Sequence, residues 1–146
     1  MSKTVEVRFD TSALDKALRR LSALQASETL ARGVHAGMTL VAEEARRSAP
    51  DSGLSRDSTR KSMRGGKKYP HKLKDEIIVK KVQVSHKRVL GRVVALPFYT
   101  GFVERGVPSR GIRPNPFMRK SAESRRGDAV KKFQDSVREM VEEALR

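Results

Sequence analysis

Cysteine is absent from this chain of 146 residues, which excludes a disulfide framework and thiolate chemistry. The three histidines, His35, His71 and His86, fall in different segments with no partner at ligand spacing, so they form no zinc site. No segment approaches the roughly 20 apolar residues needed to span a bilayer. The start, MSKTVEVRFD, carries no apolar run of the kind a signal peptide uses. The expectation is a soluble protein made in a cytoplasm, with no membrane partner. Aromatics are scarce at 5%, and acids are outnumbered, 17 Asp and Glu against 32 Lys and Arg.

What is present is charge. The net +15 is unevenly spread: residues 46–92 hold 15 Lys and Arg against 4 Asp and Glu, whereas the stretch after Gly127 is close to balanced. So concentrated a field favours a polyanionic partner, whether nucleic acid, an anionic surface or an acidic protein. With 37% apolar and 34% charged residues, the chain fits one domain, residues 1–146, with a modest core and a heavily charged surface.

Along the chain, Val5, Val7 and Phe9 alternate with polar residues and predict a half-buried strand. Leu14, Ala17, Leu18, Leu21 and Leu24 recur at helical spacing, with Asp10 or Ser12 as cap and Ser12–Asp15 approximating a capping box. A second helix is expected after Ser27, burying Leu30, Val34, Met38, Val41, Ala45 and Ala49 and stopped by Pro50. Residues 50–73 lack periodicity and are rich in Ser, Gly and cations, so they read as a long mobile basic arm. EIIVKKVQV (76–84) and VLGRVVAL (89–96) predict a hairpin, and since neither alternates cleanly, either a bulge or burial on both faces is expected. Asn115 and Pro116 predict the start of a last helix with Val130, Phe133, Val137, Val141 and Ala144 on one stripe, broken or kinked near Gly127. The fold class is α+β: a small antiparallel sheet packed with two or three helices, a projecting basic arm and a C-terminal helix. Three strands leave free edges, which self-assembly can cover.

Catalytic constellations do not emerge. RGGKK (64–68) lacks the preceding strand and the hydroxyl after the lysine that a phosphate loop requires, since Lys68 stands in that place. Glu43 and Glu44 are adjacent and point about 100° apart on a helix. Ser48, Ser52, Ser55, Ser58 and Ser62 have no histidine placed to activate them. Neither an enzyme nor a cofactor is expected. The basic arm, through Arg56, Arg60, Lys61, Arg64, Lys67, Lys68 and Lys72, is suited to neutralising phosphates. Yet only Tyr69 interleaves with its cations, where base-stacking proteins use several aromatics. An acidic protein partner fits equally.

One stretch departs from the rest: FYTGFVERGVPSRGIRPNPFMRK, residues 98–120. Aromatics surround a lone Glu104, and glycines and prolines lead to Phe117. A buried Glu104 needs backbone donors or a cation such as Arg105, Arg110, Arg113 or Arg119. Prolines stiffen the segment and lower the entropy lost on docking, and interface cores favour aromatics and arginines. The candidate docking set is Tyr99, Phe102, Glu104, Arg105, Gly106, Pro114, Pro116, Phe117 and Arg119. The alternative is an internal connection whose aromatics fill the core.

Tyr99, then Phe102-Val103-Glu104-x-Gly106, then Pro114-x-Pro116-Phe117-x-Arg119 and Ala122 resembles the signature of a small neck and tail-component family of long-tailed phages. Upstream, Ala49-Pro50-Asp51-Ser52-Gly53-Leu54 with Ser62-Met63 is similar to the family's Ala-Pro-Gly element after a long helix. The order of blocks matches from about residue 10 to 146. Val107 replaces the usual small hydroxyl, and Lys120 stands where proline is common. The resemblance implies a non-enzymatic virion component of the head–tail junction, joining head and tail. It implies a homo-oligomeric ring, often six-fold, with neighbouring neck and tail proteins as partners and non-specific contact with packaged DNA. The second reading from the residues is a small basic nucleic-acid-binding protein.

Overall fold

The computed structural model describes residues 3–50, 73–85, 88–97 and 99–146. Strand β1 (Lys3–Phe9) and strand β2 (Ile77–Ser85) both pair antiparallel with β3 (Arg88–Ala95), giving the order β1-β3-β2. Period-2 patterning turns Val7 and Phe9 of β1 and Val89 and Val93 of β3 to one face, where they are buried. The expected bulge is present as a register slip between Lys80 and Gln83. Among the described residues the outer edges of β1 and β2 have no strand partner.

Two long helices cover the inner face. Helix α2 (Ala23–Ser48) buries Val34, Met38, Val41, Ala42 and Ala45, and α4 (Phe117–Ala144) buries Ala129, Phe133, Val137 and Val141. They run antiparallel: Gly37 lies against Ala129, Gly33 against Phe133 and Val137, and Glu44 bonds Arg125. Small residues let the helices approach, since a Cβ on Gly37 would stand 2.6 Å from the Ala129 carbonyl oxygen. A Cβ on Gly91 of β3 would meet Met38 Cγ at 2.3 Å, so α2 seats directly on the central strand. Phe9 and Phe133 close the core between β1 and α4 with ring centroids 4.9 Å apart and planes inclined by 49°. The α+β class with a small antiparallel sheet is therefore observed.

Several local expectations are corrected. The leucine-rich stretch does not form one helix through Leu24. A 3-10 turn (Ser12–Leu14) and the short α1 (Asp15–Leu18) stop, and α2 begins at Ala23 rather than after Ser27. A true capping box at Ser22 and Gln25 sets that start: Ser22 Oγ accepts from the Gln25 N–H at 3.3 Å and Gln25 Oε1 from the Ser22 N–H at 3.1 Å. Leu24, at the new helix start, is 71% exposed. The Ser12–Asp15 box does not form; Asp10 Oδ1 instead accepts from the Ser12 N–H at 2.9 Å. Pro50 ends α2 as expected, with Ala49 at φ −61°, ψ 134°.

At the other end of the chain, α4 runs unbroken through Gly127, and Ala144 is exposed rather than on the buried stripe. No atom outside its own surroundings lies within 4 Å of a Cβ placed on Gly127. Gly127→Ala is therefore expected to stabilise the chain by about 0.5–1 kcal/mol by removing backbone freedom from the unfolded state. A higher urea midpoint with unchanged slope is the corresponding observation.

Charged side chains also tie elements together. Arg46 donates from Nε and Nη2 to the Ile77 carbonyl at 3.1 and 2.7 Å, fixing the end of α2 to the start of β2. Glu44 is not a freely solvated charge. Arg47 donates to it at 2.7 Å and Arg125 of α4 at 3.2 Å, and these bonds, Arg47's first, hold its carboxyl below the usual range. Glu43 and His35 are exposed.

Candidate docking site

Between the sheet and α4 the chain makes a short helix α3 (Thr100–Arg105) and a closed loop. Val107 and Ile112 bridge it in both directions, N–H to carbonyl, at 2.9 and 3.1 Å. Pro108–Arg110 forms a 3-10 turn, and Gly111 reverses the chain at φ 68°, ψ 15°, the left-handed region glycine tolerates best. Gly106, the last residue of the Glu-x-Gly box, takes φ 73°, ψ 172°, and a Cβ there would lie 2.6 Å from the Ile112 oxygen and 2.7 Å from Pro114 N.

Glu104 is the centre of this unit and is 4% exposed. Its two carboxylate oxygens accept from the N–H groups at the start of α4: Oε2 from Met118 at 3.2 Å, Oε1 from Arg119 at 3.1 Å. Of the two sources of compensation expected for it, the backbone supplies the one observed. This long-range cap replaces the expected Asn115 cap, since neither Asn115 nor Pro116 bonds the helix through a side chain. Asn115 contributes its N–H instead, donating to the Val103 carbonyl at 2.9 Å. The carboxylate also sits where the unpaired N–H groups of α4 concentrate positive potential. Glu104→Ala leaves the buried Met118 N–H and the part-buried Arg119 N–H without their acceptor, and a loss of about 1–3 kcal/mol is expected. A lowered thermal midpoint in circular dichroism checks it.

The candidate docking residues divide into two groups. Phe117 is 1% exposed and belongs to the core, as the alternative of an internal connection has it. Tyr99 and Val103 pack partly buried against the same core. Burial first, and then the Glu76 carboxylate, raise the Tyr99 phenol above its ordinary value. Pro116 and Gly106 are half-buried, while Arg105, Pro114 and Arg119 are exposed, Arg119 lying 3.8 Å from Glu123. Phe102 is 53% exposed. With Tyr99, Val103, Val107, Arg110 and Ile112 it lines an open groove of about 420 Å³ between α3 and the loop. Val107 and Ile112 are not among the docking residues expected from the sequence. Their alternation across a turn of Pro, Ser, Arg and Gly was the available signal.

The cations expected on the arm, Arg56, Arg60, Lys61, Arg64, Lys67, Lys68 and Lys72, lie outside the described residues. Within the described part of the basic region, Arg46 and Arg47 are engaged as above, and Arg92 Nε lies 2.8 Å from Glu6 Oε1. No cluster of potential metal ligands occurs among the described residues. Nor is any described helix long and apolar enough to cross a membrane.

The fold and site define an α+β subunit whose longest helix is capped from a preceding motif and flanked by an exposed apolar groove. The chain matches the family described as "Bacteriophage HK97-gp10, putative tail-component" over residues 12–106. That is more than half of its length, and the chain belongs to this family of phage tail components. The match includes the Glu104-x-Gly106 box and ends there, before Phe117 and α4. No curated protein and no solved structure matches the chain.

Proposed function

We propose that this chain is a structural protein of the phage neck that completes the tail and joins it to the head. It acts by subunit docking in a ring, with no chemical step. The observation carrying this reading is the exposed groove beside Phe102 and Ile112, held on a bridged loop and a Glu104-capped helix in a member of a tail-component family. A preorganised apolar surface loses little entropy on binding. Phe102, Arg105, Pro114 and Arg119 form the outward part of the docking set, and Glu104, Gly106 and Phe117 hold it in shape.

A closed ring, six-fold by the family resemblance, uses heterologous contacts in which one subunit's groove meets a different face of the next. Neighbouring neck and tail proteins cover the remaining faces, and the basic arm meets acidic protein or packaged DNA. Deleting the gene is expected to leave separate heads and tails in electron micrographs, and supplying the protein restores joined particles. Joined tails in the deletion, or purified protein that never enters particles, refutes the reading. The cation surplus of residues 46–92 supports nucleic-acid binding as the second reading. Tight duplex affinity of the isolated chain with a steep salt slope favours it.

A further inference from the structure

The two long helices and the three strands of this fold do not match in width. Helix α2 packs on β2 and β3, and α4 chiefly on β1. The latter helix follows its strand. Ala122, Glu123 and Arg126 face Glu6, Val7 and Arg8 across a recess of about 300 Å³, and further along Phe133 meets Phe9. Two helices side by side, each about 10 Å in diameter, cover about 20 Å. Three strands about 4.8 Å apart cover about 14 Å. The helix layer therefore leaves room under the outer flank of α4 for one more strand, next to β1.

The edge that borders this space is regular. β1 pairs with β3 without interruption over its 7 residues, from Lys3 opposite Ala95 to Phe9 opposite Val89. Its sequence, KTVEVRF, holds no proline or glycine. Every second residue of such a strand turns its N–H and C=O away from the strand it is paired with. No described strand takes up those groups on the outer side of β1. The other edge, β2, is interrupted between Lys80 and Gln83. Charge around the recess is also one-sided. Glu6 lies 2.8 Å from Arg92 and Glu123 3.8 Å from Arg119, so both acids are engaged. Arg8 and Arg126 are exposed and form no ion pair among the described residues.

We infer that β1 accepts a fourth strand, an extended segment of another protein that lies under α4. Its apolar side chains alternate toward the helix, where Ala122 lines the recess, and a carboxylate on it reaches Arg126. Main-chain bonds supply the affinity of such a contact and alternate side chains its specificity. A second copy of this chain does not fit. Pairing β1 with itself about a two-fold axis brings both α4 helices over one junction, and in the register centred on Glu6 it sets two carboxylates opposite each other. Residues 51–72 of a second copy carry mainly cations, the same sign as Arg8 and Arg126. The inference deepens the neck reading above and rests on it for the source of the strand, a neighbouring virion protein.

The probe is a short capped peptide in which valine alternates with threonine and glutamate, added to the full-length protein. Hydrogen exchange followed by NMR is expected to show alternate β1 amides exchanging fast in the free protein and slowly with the peptide bound, while β2 is unchanged. Methylating the peptide's amides on the bonding edge is expected to abolish binding. Arg126→Glu, at an exposed position, is expected to keep the native circular dichroism spectrum. It is expected to weaken the glutamate peptide at least about ten-fold and to favour a peptide with lysine in place of glutamate. A peptide that does not bind overturns the inference, as does binding that leaves the β1 amides fast or survives methylation. So does protection of β1 that rises with protein concentration alone, which marks a second copy as the occupant. Joined particles in which β1 exchanges as fast as in the free chain would overturn this contact while leaving the neck function standing.

Discussion

Phe117→Ala is expected to cost about 3–5 kcal/mol, combining lost transfer energy with the cavity left behind. The ring is 1% exposed and shares the core with Phe133 and Met118, both 0% exposed, so little surrounding surface can collapse into the gap. A domain of this kind holds only about 5–15 kcal/mol in total, so the substitution removes a large share of its stability. The urea midpoint of the circular dichroism signal is expected to fall sharply with an unchanged slope. Phe102→Ala, at a side chain 53% exposed, is expected to stay within about 0.5 kcal/mol. The pair separates folding from docking: loss of assembly in the Phe117 variant reports a damaged core, whereas loss in the Phe102 variant reports a lost contact. Equal stability of the two proteins would contradict the packing described here.

Gly106→Ala is the second large effect. Its backbone, φ 73° and ψ 172°, lies in a region essentially reserved for glycine, at about 1–3 kcal/mol for other residues. The added methyl also meets backbone, at 2.6 Å from the Ile112 oxygen and 2.7 Å from Pro114 N. Backbone yields less readily than a side chain, and such overpacking costs about 1–3 kcal/mol more. The loop must move, and the groove it borders moves with it. Gly111→Ala provides the control, because it has left-handed φ but nothing within 4 Å of the new methyl, leaving about 1–2 kcal/mol of conformational cost. Thermal melts that rank the two variants in the opposite order would refute this account of the Glu-x-Gly box.

The sheet was legible in the sequence because its signals are local. Val5, Val7 and Phe9 alternate, β-branched runs flank a short linker, and imperfect alternation betrays the bulge. The Ala49-Pro50 stop was legible for the same reason. Leu24 misled because a helical stripe does not reveal whether the chain continues or breaks and restarts. Ser22 and Gln25 held the answer, but leucines on both sides made one helix the simpler reading. Gly127 misled in the other direction. Propensity counts against glycine inside a helix, yet the core made by Ala129, Phe133 and Val137 holds α4 through it.

The role of Glu104 was half legible. Its burial and its need for donors follow from the aromatics beside it, but the donors lie 14 and 15 residues away. Only tertiary structure brings them together. Phe117 was recognised as an apolar anchor, yet from sequence an anchor in the core and an anchor in a partner look alike. The groove was the least visible feature, since Ile112 and Val107 meet only when the loop closes.

The slip between Lys80 and Gln83 has a consequence for the protein before it is incorporated. A ladder interrupted in mid-strand offers no long unbroken row of amide and carbonyl groups, so a foreign strand finds matching partners for only a few residues. The β2 edge is thereby a poor template for adding a foreign strand. Contacts on that flank of the sheet are left to side chains, whose shape and charge choose the neighbour.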